Sequence, residues 1–301
     1  MILIGTSGYS FPDWVGPFYP PGLDRSRMLD YYVRQFSTVE VNATYYRIPP
    51  PSTMHSMERR TPPEFEFVVK ANQEMSHAQS LDAELYRSFH RALQPLRIAG
   101  KLSGVLAQFP YAFRRSGAGE SFVKELKRRM EGMPLFVEFR HNSWIQDEVF
   151  DLMEKEGLGY VSVDEPDLPG LIPPVARVTG TVGYVRLHGR NKANWWGSGN
   201  RRSGAAGAVG TRAGSGASPA SGARAANGAT RGASGDRYDY LYSEAELKEW
   251  ADKIRELSRK TQKTFVFFNN CHVGQAATGA KLMRKLLELP EPTLADLPGL
   301  L

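Results

Sequence analysis

Cysteine is nearly absent. Cys271 stands alone among 301 residues, so no internal disulfide can form, and a reducing, cytoplasmic setting is expected. Long hydrophobic runs are missing too. No stretch approaches the roughly 18 apolar residues that a membrane-spanning helix needs, so no membrane partner is expected. The opening MILIGTSGYSFPDW has neither a basic n-region nor a long apolar core, and it reads as a strand and loop rather than a signal peptide. The spacings HxH, HExxH and CxxC do not occur, which removes the common local signatures of a metal site.

Acidic residues and aromatics are both missing from residues 197–235, a stretch of almost nothing but Gly, Ala, Ser and Arg. Its five arginines (Arg201, Arg202, Arg212, Arg224, Arg231) account for most of the formal net charge of +6, so the rest of the chain carries only +1. Such a composition buries too little apolar surface to offset its chain entropy, and it reads as a flexible insertion in a single domain spanning residues 1–301. A basic tether for nucleic acid is the competing reading. Single-strand binders interleave aromatics with their cations, and this stretch has none.

What is present elsewhere is alternation. Strand-like runs occur at residues 2–7, 38–43, 65–71, 103–109, 135–140, 159–164, 183–189 and 264–270. Their density in Val, Ile and Phe suits strands covered on both faces. Helical spacing marks 25–36, 81–96, 120–130, 145–157, 243–260 and 276–289, and Ser243 with Glu246 forms a capping box. Eight strands alternating with helices predict a (β/α)8 TIM-like barrel with the insertion before its last helix–strand pair. The competing open doubly wound sheet lacks its GxGxxG fingerprint, since only GTSG follows the first strand.

Active sites of such barrels lie at the carboxyl ends of the strands, so the polar residues there are the candidates. They are Glu40, Asn42 and Tyr45 after the second strand, Lys70 and His77 after the third, and Gln108 after the fourth. Glu138, Arg140 and Trp144 follow on the fifth, Asp164 on the sixth, Arg186 and His188 on the seventh, and Asn269 and Asn270 on the eighth. Glu40 with Asn42, Glu138 with Arg140, and Arg186 with His188 are spaced i, i+2, so each pair shares a strand face. Turned inward, they would make a mixed-charge pocket whose members must pair with one another or with a ligand. An ion-pair network that only holds the barrel together is the structural alternative.

Read in order, GTSGYSFPDWVGPFYP, VEVNATYYRIPP, FVVKANQEMSH, LAQFPYAF, VEFRHNSW, YVRLHGRN and VFFNN resemble the successive motifs of the YecE-like family, catalogued as domain of unknown function 72. The resemblance covers nearly the whole chain except the insertion. It implies a TIM-barrel-like fold and places the fourteen candidates above at recurring polar and aromatic motif positions. It brings no reaction with it.

Three chemistries fit these residues. In the first, Arg140, Arg186 and Lys70 clamp a small phosphate- or carboxylate-bearing substrate. Glu138, Asp164, His188 or Glu40 then moves a proton, and no cofactor is expected. In the second, Glu138, Asp164 and His188 ligate a divalent metal, although Arg140 and Arg186 beside them would repel it. In the third, the barrel is a non-enzymatic nucleic-acid or metabolite binder using mouth aromatics, with Trp195 and Trp196 expected to be exposed. Cys271 reads as a passive rim residue.

Overall fold

The computed structural model describes residues 1–197 and 236–291. Apart from Gly197, the expected insertion at 197–235 lies outside the described residues. Eight parallel strands form one sheet in the order β1-β8-β7-β6-β5-β4-β3-β2. They are β1 Ile2–Thr6, β2 Thr38–Val41, β3 Glu66–Lys70, β4 Leu102–Gln108, β5 Leu135–Glu138, β6 Gly159–Asp164, β7 Val182–Leu187 and β8 Lys263–Phe268. The helices are α1 Met28–Tyr32, α2 Ala43–Tyr46, α3 Pro51–Arg59, α4 Gln73–Ser76 and α5 Ala83–Ile98, then α6 Gly117–Arg129, α7 Asp147–Lys155, α8 Glu244–Arg259 and α9 Gln275–Leu286. The architecture is the expected (β/α)8 TIM-like barrel, nearly closed.

Helix starts follow local chemistry. Asp82 Oδ1 accepts from Leu85 N at 2.9 Å to open α5, which buries Phe89, Leu93 and Leu96. The predicted capping box at Ser243 and Glu246 opens α8. Three short helices, α2, α3 and α4, are additions to the predicted set, and the β6–β7 connection, residues 165–181, contains no helix. Among the described residues no helix is long and apolar enough to cross a membrane.

The ring is closed between β1 and β2 by unusual means. One backbone bridge joins Ser7 to Glu40, with Gly8 N donating to Glu40 O at 2.8 Å. Below it the link is a side chain. The Tyr32 hydroxyl accepts from Thr6 N at 2.9 Å and donates to Thr38 O at 3.1 Å, spanning the gap between the two strands. Gly5 is required beside it, because a Cβ there would collide with the Thr38 carbonyl.

Inside the barrel the lower floor is aromatic. The Tyr184 ring lies 5.0 Å from Phe136 and 5.4 Å from Phe267. One level higher, at the next inward position of β5 and β7, the side chains become Glu138 and Arg186. That change begins the site.

Candidate active site at the barrel mouth

The lowest polar level is an ion cluster with no exposed atom. Arg186 donates from Nε and Nη2 to the two oxygens of Glu40, at 2.9 and 2.7 Å, and from Nη1 to Glu138 Oε2 at 2.5 Å. Tyr184 adds its hydroxyl to Glu40 Oε2 at 2.6 Å. All four side chains are essentially inaccessible to solvent. One guanidinium faces two carboxylates at this level, so the second positive charge has to come from Arg140 above it.

Above it sits a second level. Arg140 Nε contacts Glu138 Oε1 at 2.5 Å, an ion contact without aligned hydrogen-bond geometry, and its Nη1 donates to Glu165 Oε2 at 3.0 Å. His188 Nδ1 is hydrogen-bonded with the Asn269 side-chain amide at 3.0 Å. Its Nε2 lies 3.3 Å from Glu138 Oε1 and 3.1 Å from Arg140 Nη2. Burial works against ionising Glu138, yet Arg140 and Arg186 outweigh it and hold its carboxyl well below the usual range. Burial, then the Arg140 charge, keep His188 well below its ordinary pKa and therefore neutral.

Glu165 was not among the sequence candidates. It continues the inward face of β6 one residue past the strand. Its Oε1 accepts from Ile172 N at 2.9 Å, which ties the loop 166–174 down over it. Burial lifts its carboxyl to about 7 against the pull of Arg140 and the Ile172 amide. It lines a groove of about 1040 Å³ bordered by that loop, Arg190 and Lys192.

Across the mouth, Lys70 ends β3. Its Nζ donates to Gln108 Oε1 at 2.7 Å and lies 4.4 Å from the centroid of the Tyr45 ring. Asn72, also missed in the sequence, fixes this geometry. It caps α4 through Glu74 N at 3.0 Å and donates to the carbonyls of Thr44 and Tyr45, holding α2 against the end of β3. The His77 ring meets the same tyrosine at 5.1 Å. Burial, reinforced by the Arg186 charge, draws the Lys70 ammonium down to about 7 against the opposing pull of Glu138 and Glu40. Burial and the Lys70 charge lower His77 to about 4. Asn42 is half-buried at the head of α2, with its Oδ1 unpartnered among the described residues.

Three expected members stand elsewhere. Asp164 faces outward from β6 into a separate cluster, accepting from Arg190 Nε, Tyr242 Oη at 2.6 Å and Trp250 Nε1 at 2.7 Å. Trp144 lies fully buried behind β5, stacked on Phe139 at 4.2 Å and donating from Nε1 to Phe113 O at 2.7 Å. Asn270 turns away from Asn269 and donates to Tyr240 O at 2.8 Å. The trio Glu138, Asp164 and His188 therefore does not converge, because Asp164 and Glu138 occupy opposite faces of the sheet. Among the described residues no group of three or more His, Cys, Asp or Glu side chains could hold a metal ion. Trp195, expected to be exposed, is 2% accessible and packs over Arg140, while Trp196 is 45% accessible. Cys271 donates its thiol to Ser7 O at 3.2 Å, and burial, with Glu40 second, pushes that thiol's pKa up, away from thiolate.

A family model described as "Protein of unknown function DUF72" matches residues 3–299. The UPF0759 protein YunF of Bacillus subtilis (strain 168) is 30% identical over 310 residues, 98% of each chain. Among solved structures, the DUF72 family protein TM1631 of Thermotoga maritima is 37% identical with a TM-score of 0.78, covering 96% of this chain and 99% of that one. The DUF72 family protein EF0366 of Enterococcus faecalis is 25% identical with a TM-score of 0.77, covering 96% of both.

Proposed function

The chain belongs to the DUF72 family, and from that premise we propose that it is an enzyme that binds a small anionic molecule at the barrel mouth and moves protons there. The observation that carries this reading is the state of Lys70. The inward carboxylates Glu40, Glu138 and Glu165 all engage Arg140 or Arg186. Among the described residues Lys70 is left with an amide oxygen and an aromatic face. A half-buried cation without a counter-ion is unfavourable unless it loses its proton or gains an anion. A phosphate or carboxylate would supply that anion.

The proton chemistry rests on two groups. Lys70 and Glu165, both near 7, can each take or give a proton at neutral pH, as general catalysts must. Neutral His77 and Gln108 are placed to orient a bound oxygen. Arg186, Glu40 and Glu138 supply the fixed charge beneath and make no ligand contact in this reading.

Thermal unfolding in rising inorganic phosphate tests it. The wild type should gain stability as ligand occupies the mouth, by about 2.7 kcal/mol at one hundred times the dissociation constant. Lys70→Met should lose that gain. An equal gain in the variant would overturn the reading.

A further inference from the structure

Lys70 differs from the buried Lys101. Lys101 has its Nζ held by Glu58 O at 2.7 Å, Thr61 O at 2.8 Å and Thr61 Oγ1 at 3.2 Å, so each of its three N–H donors has an acceptor. Among the described residues Lys70 makes one hydrogen bond, to Gln108, and it remains half-buried at the open end of the barrel. The Tyr45 ring lies against it, and no carboxylate comes within ion-pair distance among the described residues. An amine fixed by one neutral acceptor, with its remaining valences uncommitted, has the geometry of a nucleophile.

We propose that Lys70 captures the carbonyl carbon of a small carboxylate-bearing aldehyde or ketone and forms an imine with it at the barrel mouth. This rests on the anion-site reading above and specifies its substrate class. The nitrogen lone pair makes the C–N bond while the carbonyl π pair moves to oxygen, which takes a proton. Loss of water then forms the C=N bond, and no oxidant or reductant is involved. The carboxylate requirement follows from charge. Burial, then the Arg186 charge, disfavours a cation at Lys70 against the pull of Glu138 and Glu40, so the cationic iminium needs a negative group on the substrate itself. An amine titrating near 7 is about half unprotonated at neutral pH, roughly a thousand times the fraction of an ordinary lysine.

Glyoxylate with cyanoborohydride is the probe. The full chain is treated at neutral pH, and the reduced carboxymethyl adduct is mapped by peptide mass spectrometry. The adduct should accumulate on Lys70 on the order of a hundred times faster than on the average remaining lysine, Lys101 included. Lys70→Arg should abolish it while the variant still unfolds in one cooperative transition, which shows that it is folded. Labelling spread evenly over surface lysines, or absent from Lys70, would overturn the proposal. Acetate titration by thermal shift separates the two readings. Stabilisation by acetate in the wild type but not in Lys70→Met, with Lys70 unlabelled, sinks the imine and leaves the anion site standing. Failure of both measurements removes both.

Discussion

Asp164 and Glu165 are consecutive, yet they answer to opposite sides of β6. Asp164 is gripped outside the barrel by Arg190, Tyr242 and Trp250, and Glu165 is held inside by Arg140 and the Ile172 amide. Their substitutions should therefore separate cleanly. Asp164→Asn should lower the free energy of unfolding by about 2–3 kcal/mol in urea titrations, because Arg190 loses its buried partner. The stabilisation by phosphate should survive in this variant.

Glu165→Gln should change the pH dependence of stability. A carboxyl raised from its unfolded value near 4.5 to about 7 binds more protons in the folded state across that interval. Stability is then lost as pH rises from about 4.5 to 7, by about 3 kcal/mol in order of magnitude. The variant should show that slope removed when unfolding is followed across the same range. An unchanged slope would show that Glu165 titrates normally.

Lys70 should act in the adjoining interval with the opposite sign. Its ammonium, lowered to about 7, is less protonated in the folded chain than in the unfolded one between about 7 and 10.5. Its penalty is full below 7 and fades as pH rises above it, so the wild type should gain stability over that range. Lys70→Met should be flatter there and more stable at pH 7 by a few kcal/mol, measured by chemical denaturation. Near neutrality both groups penalise the fold at once, and a bound anion relieves the lysine's share.

Arg186 is matched to two carboxylates by a geometry that an ammonium cannot copy. Arg186→Lys should cost about 3–5 kcal/mol, because buried carboxylate oxygens lose their donors. A cooperative urea transition with a midpoint near that of the wild type would contradict the role given to this cluster.

Much of this was legible in the sequence, and the gaps have physical causes. All eight strands stand out because each is an apolar run bounded by turn residues, and the i, i+2 charges of β5 and β7 do share an inward face. The direction of β6 was not legible. In GYVSVDE both faces are buried, so Tyr160, Ser162 and Asp164 look no more internal or external than Val161, Val163 and Glu165. Taking the last strand residue as the mouth residue chose Asp164, where parity puts Glu165. Trp144 failed for a similar reason, since a rim tryptophan and a tryptophan filling the gap between strand and helix have the same local sequence. Helix α3 carries only Met54 and Met57 as a buried stripe after three prolines, too little period to register.

Tyr32→Phe should open the link between β1 and β2. Removing the hydroxyl leaves Thr6 N and Thr38 O buried without their bridge, at about 1–3 kcal/mol. Amide hydrogen exchange should rise in these two strands ahead of the rest of the sheet.

That phenol also sets how the cylinder can deform. Seven of the eight joints between strands are ladders, which resist sliding and spreading along their whole length. The eighth is fastened at a few points, like a hoop riveted where its ends meet. Any change in bore should concentrate its displacement along this line. Glu40 and Ser7, which share the rivet's upper end, would carry that displacement directly to Arg186.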